Sequence, residues 1–196
     1  MNRRCDQAPQ TGRRPWTRAG SLAVGAHVFY ELAAGVSMPL ASRLGISPAA
    51  VLYGTATAAS YREAGRRPPS ADPAFNALNG LYLGLVAGHA LTWPRRWAGV
   101  PWFRECEGLR GPVLTPYNLI LQLSWMAAVG GIVENRRGRC WGALVPVLVV
   151  PVLARAAPRE FDRLVEQARQ RPRWWNRRLQ PGTGTVVPTG PPATGT

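Results

Sequence analysis

Residues 111–133 read GPVLTPYNLILQLSWMAAVGGIV, twenty-three consecutive positions without a charged side chain. At about 1.5 Å per helical residue, such a run reaches across the ~30 Å hydrocarbon core of a bilayer. A helix on the surface of a soluble domain is not written this way, because its wet face needs polar residues at helical period. Four more stretches share the pattern: 19–42, interrupted only by Glu31, then 44–61, 73–94 and 140–154. The five together cover 102 of the 196 residues and hold 1 of the 34 charges.

The charges outside those runs are mostly arginine: 24 arginines, no lysine and 10 acids, a formal net charge of +14. A basic chain suits nucleic acid in principle, but here charge and apolar residues are segregated as a bilayer demands. No nucleic-acid partner is expected. Tryptophan placement agrees: Trp125 alone sits well inside a run. Trp16, Trp93, Trp97, Trp102 and Trp141 stand at run ends or in the connection 93–112. Indole favours the headgroup region, so that connection is expected to hug the bilayer surface. The complete lack of lysine suggests a GC-rich genome and a bacterial plasma (inner) membrane.

The expected fold is all-α, a polytopic transmembrane bundle of four or five crossings with a C-terminal amphipathic basic helix. Its parts are a basic N-terminal arm (1–19), the transmembrane helical domain (20–157), a cytoplasmic amphipathic helix (158–180) and a disordered tail (181–196). The apolar stretch after the arm is too long for a signal peptide and holds Glu31 in its middle, so it is expected to remain as the first crossing. Arginine placement favours four crossings. If 140–154, which contains Pro146 and Pro151, dips in and returns, 19 arginines lie on the cytoplasmic side and 5 opposite. Five full crossings divide them 11 to 13. The four-crossing arrangement puts both termini in the cytoplasm.

Gly80, Gly84 and Gly88 (GLYLGLVAG) form a tandem GxxxG whose glycines stack on one helix face and admit another backbone. The groove packs helices within the chain or between chains. His27 and Glu31 stand four apart on the first run, so their side chains share a face. A carboxyl group at that depth costs roughly 2.5–3.5 kcal/mol to insert, which marks it as a candidate functional group. Two readings of the pair are open: a self-satisfied contact, or an acid–imidazole site for a headgroup, a proton or a cofactor. His89, Asn79, Asn118 and Gln122 on later runs could join it around a polar pocket. Two histidines on different membrane helices are also the ligand set of a b-type haem. In the favoured arrangement, however, His27 and His89 lie toward opposite faces, and the cofactor stays undetermined.

In the tail, Phe161, Leu164, Val165 and Ala168 fall on one helical face, followed by arginines interleaved with Trp174 and Trp175. Cations with indoles suit anionic lipid headgroups. Cys5, Cys106 and Cys140 form no CxxC pair or even framework, and no residues are assigned to a metal. HExxH, Walker, GxSxG and DxD patterns are absent, and the loop acids Glu105 and Glu107 have no histidine near them in sequence. No residue is assigned a catalytic role. The first functional expectation is an accessory or assembly protein that packs a membrane partner, or a second copy of itself, through the glycine-lined helix. The second is a small membrane enzyme or carrier using the polar pocket around His27, Glu31 and His89.

Overall fold

The computed structural model describes residues 13–91, 95–99 and 102–180, so Cys5, Trp93, most of the basic arm and the tail 181–196 lie outside the described residues. The structure is mostly helical. Five long helices make up most of the described chain: α1 (Pro15–Ala34), α3 (Ile46–Ala64), α4 (Asp72–Leu91), α5 (Leu114–Glu134) and α6 (Arg139–Gln170). A single turn, α2 (Ala41–Leu44), joins α1 to α3. Between α4 and α5 lies an antiparallel sheet of three short strands, β1 (Arg95–Gly99), β2 (Trp102–Cys106) and β3 (Leu109–Arg110), in that order. The sheet occupies the connection expected to run along a bilayer surface; Trp97 stacks on Phe103 across β1 and β2 at 4.2 Å.

Contacts along the helices fix their directions. Arg14 meets Asp72 at one end of α1 and α4, and His27 meets His89 further along, so these two run parallel. Glu134 sits at Thr17 and Tyr117 at His27, so α5 runs antiparallel to α1. Gly80 faces Gly142 and Gly88 faces Leu153, which makes α6 parallel to α4. The described chain therefore begins at one end of the bundle and finishes at the other. Its last turn, Trp174–Leu179, docks beside Gly35 at the end of α1, with the Arg178 amide donating to the Gly35 carbonyl at 2.9 Å.

That path differs from the expected dip of 140–154. Helix α6 is continuous for 32 residues through Pro146, Pro151 and Pro158. Each proline removes one backbone donor, but reversing a chain takes several non-helical residues, and VPVLVVPVL has no glycine, asparagine, aspartate or serine to join its prolines in a turn. The same helix carries on through 158–170, so the amphipathic segment is its extension and not a separate unit. Phe161, Leu164 and Ala168 are buried in the cluster that holds Val28, Met38 and Leu109, so protein and not lipid covers that apolar face. Trp174 and the flanking Arg171 and Arg173 stay exposed.

Among the described residues, two helical segments, Gly111–Glu134 and Arg139–Gln170, are long and apolar enough to cross a membrane. Only 11% of the apolar window of α6 is buried, so it is not a core helix. Polar side chains are buried between the helices beside the apolar core, and many large apolar ones face outward. Asn76, Asn79, Asn118, Thr17 and Ser124 are fully buried, while Val51, Leu123, Val133, Val147 and Val152 are mostly exposed.

Candidate functional site: a buried imidazole–carboxylate centre

Helix α1 starts at Pro15, where a proline at the first helical position loses nothing because that N–H has no partner in a helix. The early start puts His27 further along the helix than the uncharged run implies and brings it level with His89. Their rings touch edge to face, with centroids 4.5 Å apart and planes at 64°. His27 Nε2 lies 2.8 Å from Oε1 of Glu31, one turn on. Tyr117, fully buried on α5, places its hydroxyl 2.7 Å from Oε1 of Glu31, 3.2 Å from Oε2 of Glu107 and 3.3 Å from His27 Nε2.

Glu107 arrives from the sheet. With Gly108 it forms the two-residue connection between β2 and β3, at φ +54° and +81°. Two left-handed residues are what a tight hairpin with the twist of its strands requires, and Asn-Gly or Asp-Gly is the usual occupant. A glutamate there is strained, and its inward carboxyl is held by pairing with Nδ1 of His89 and by the Tyr117 hydroxyl. Asn118 fixes the sheet on α5: its side-chain amide accepts from the Phe103 amide at 2.9 Å and donates to the Phe103 carbonyl at 3.0 Å.

The electrostatics of the turn follow from this closure. Burial pushes the Glu107 carboxyl well above the ordinary carboxylate range, and the Glu31 carboxylate adds to the rise against a hydrogen bond from Tyr117. Burial raises the Cys106 thiol too, with Glu107 and Glu31 contributing, so Cys106 is a poor nucleophile. Beside the centre lies a cavity of about 370 Å³. His27 and His89 border it, Val24, Leu85 and Leu153 supply apolar wall, and Arg43, Glu160 and Arg163 gather where α2 meets α6.

Of the residues expected in one pocket, the structure unites His27, Glu31 and His89. Asn79 belongs to a second network, donating to Thr17 Oγ1 at 2.9 Å. There Arg14 lies 2.7 Å from Asp72 and 2.8 Å from Asn135, and Glu134 accepts from the Trp16 and Thr17 amides at the start of α1. Asn118 is the clamp on β2, and Gln122 stands half-buried one turn further along α5. The histidines do not fit haem ligation, because their rings fill the space a porphyrin would need between them. Gly80, Gly84 and Gly88 face α6 of the same chain. A Cβ on Gly80 would come within 2.9 Å of the Gly142 carbonyl oxygen, one on Gly84 within 3.2 Å of Val149 and one on Gly88 within 3.0 Å of Leu153.

Sequence reasoning missed Tyr117 and Arg14, and it left Glu107 as a loop acid without a histidine. Arg14 had a signal in Pro15, a helix start that carries the arginine into the bundle. For Glu107 the one local signal was the Glu-Gly pair, a sequence compatible with a tight turn. Tyr117 had none, since one tyrosine in an apolar helix is ordinary. No family model, curated protein or solved structure matches the chain.

Proposed function

We propose that this chain is a five-helix membrane protein that binds a small amphiphilic molecule in the cavity and presents its polar end to His27 and His89. The carrying observation is the junction of two unlike surfaces: an apolar cavity of ligand size with a buried imidazole–carboxylate centre on its border. Imidazoles held by carboxylates move protons or orient a polar group, which suits a small membrane enzyme or carrier. The large apolar side chains exposed along α5 and α6 support the membrane setting. With five crossings the arginines divide 11 to 13 and set no orientation. The assembly reading loses its strongest feature, since α6 fills the glycine strip.

Purification in mild detergent, followed by mass spectrometry of the bound lipid fraction, tests the reading. Wild type should carry one amphiphile class enriched over bulk lipid, and Leu85→Trp, which fills the cavity, should lose it. The same lipid profile in both would overturn the proposal.

A further inference from the structure

Two imidazoles, two carboxylates and a phenol in one closed space are more than a proton relay needs. The donor atoms of His27, Glu31 and His89 all lie within 4.8 Å of one another, as do those of His89, Cys106 and Glu107, and every one of these residues is buried. We propose that His27, Glu31, His89 and Glu107 bind one divalent first-row transition-metal ion of the zinc type.

The spacing within each group suits such an ion, and His89, common to both, joins them. In a tetrahedral shell with bonds of 2.0–2.2 Å, donors sit about 3.4 Å apart. His27 and Glu31 already stand 2.8 Å apart, so a small separation of donors that now touch makes room at the centre. The donor chemistry is selective: imidazole nitrogen with carboxylate oxygen suits zinc, iron or manganese better than calcium or magnesium, which take oxygen alone. Charge points the same way. With neutral imidazoles, a divalent cation would displace the proton that burial keeps on Glu107, and the two carboxylates would then balance its charge.

The support around the donors is also what a metal site needs. Tyr117 reaches Glu31 and Glu107 and so orients two ligands from outside the shell. The ligands come from α1, α4 and a hairpin turn that Asn118 pins to α5, so they are held before any ion arrives. The strained backbone of Glu107 delivers a carboxylate where glycine would fold more easily. The cavity bordered by His27 and His89 gives the ion a way in. The proposal shares that cavity with the function above but does not require the amphiphile.

The test is metal content and cobalt spectroscopy on detergent-purified full chain, stripped with chelator and titrated with Zn²⁺ or Co²⁺. Wild type should retain one equivalent of Zn²⁺, and its Co²⁺ form should show the intense visible bands of a tetrahedral site. Glu107→Gln and His89→Gln should lose the ion, while Tyr117→Phe should weaken it about 10–100-fold. Cys106→Ser should leave the cobalt spectrum unchanged. Leu85→Trp should keep the metal while losing the amphiphile, so the two proposals fail separately. A wild-type protein that retains no stoichiometric ion overturns the metal site, as does retention undiminished in both ligand variants. If a ligand variant does not fold, the wild-type stoichiometry and cobalt spectrum decide the matter.

Discussion

Glu107, at φ +54° in the turn between β2 and β3, pairs with Nδ1 of His89 near the end of α4. A strand turn thereby completes a site that the helices alone would leave open. Strain and burial oppose this placement, so the residue trades stability for position. Glu107→Gly removes a left-handed glutamate, worth roughly 1–2 kcal/mol, and a buried carboxyl. In metal-free protein it should raise Tm, while Glu107→Gln, which keeps the strained backbone, should not. A lower Tm for the glycine variant would mean that the bonds to His89 and Tyr117 hold the turn in place.

Arg14 is buried against Asp72 and Asn135 and also donates to the carbonyls of Arg67 and Pro68 at 2.8 Å. Arg14→Ala leaves Asp72 without its guanidinium and should cost about 3–5 kcal/mol. Thermal unfolding in detergent would register the loss. An unchanged midpoint would show that the N-terminal network is dispensable.

Gly80 admits no side chain without moving the backbone of α6. Gly80→Leu should therefore destabilise the monomer by about 1–3 kcal/mol or more and loosen α6, measured as faster proteolysis. A variant stable as a monomer but unable to associate would instead restore an intermolecular role for the strip.

Asn118→Ala removes both bonds to Phe103 and strands a buried peptide group, a cost of about 1–3 kcal/mol. Hydrogen exchange at the Phe103 amide should accelerate while amides in mid-α5 stay protected. Equal protection at Phe103 would show that the sheet holds without the clamp.

The proposed five crossings make a topological prediction. Cys140 is exposed at the start of α6, and Arg171 lies just past its other end. In sealed vesicles, an impermeant thiol reagent should reach Cys140 and an Arg171→Cys label from opposite sides. Labelling from one side would reinstate the dip of 140–154.

The sequence carried the helical class and most helix positions plainly, because uncharged runs bounded by arginine leave few alternatives. It carried half of the centre. His27 and Glu31 are one turn apart, and a period of 3.6 joins them without any tertiary knowledge. His89 and Glu107 were separable from that pair because their meeting depends on where α1 starts and on a hairpin whose strands are too short to read. The path of α6 was misjudged because the dip was inferred from the arginine distribution, whereas the helix packs on α4 at Gly80, Gly84 and Gly88 and runs on through its prolines.

Where that donor is missing has a consequence of its own. Pro146 has no N–H, so the carbonyl four residues back, that of Gly142, has no α-helical partner, and it is the carbonyl that faces Gly80. In an apolar surrounding, an unengaged oxygen seeks polarised hydrogen, and the bare Cα–H groups of a glycine can supply it. The glycine and the proline thus act as an index pin between two otherwise smooth cylinders. Sliding α6 by one residue, or rolling it by one position, would set the oxygen against a side chain. This contact joins those at Gly84 and Gly88 in setting the axial register and rotation of the longest helix, and substitutions at Gly80 and Pro146 should be energetically coupled.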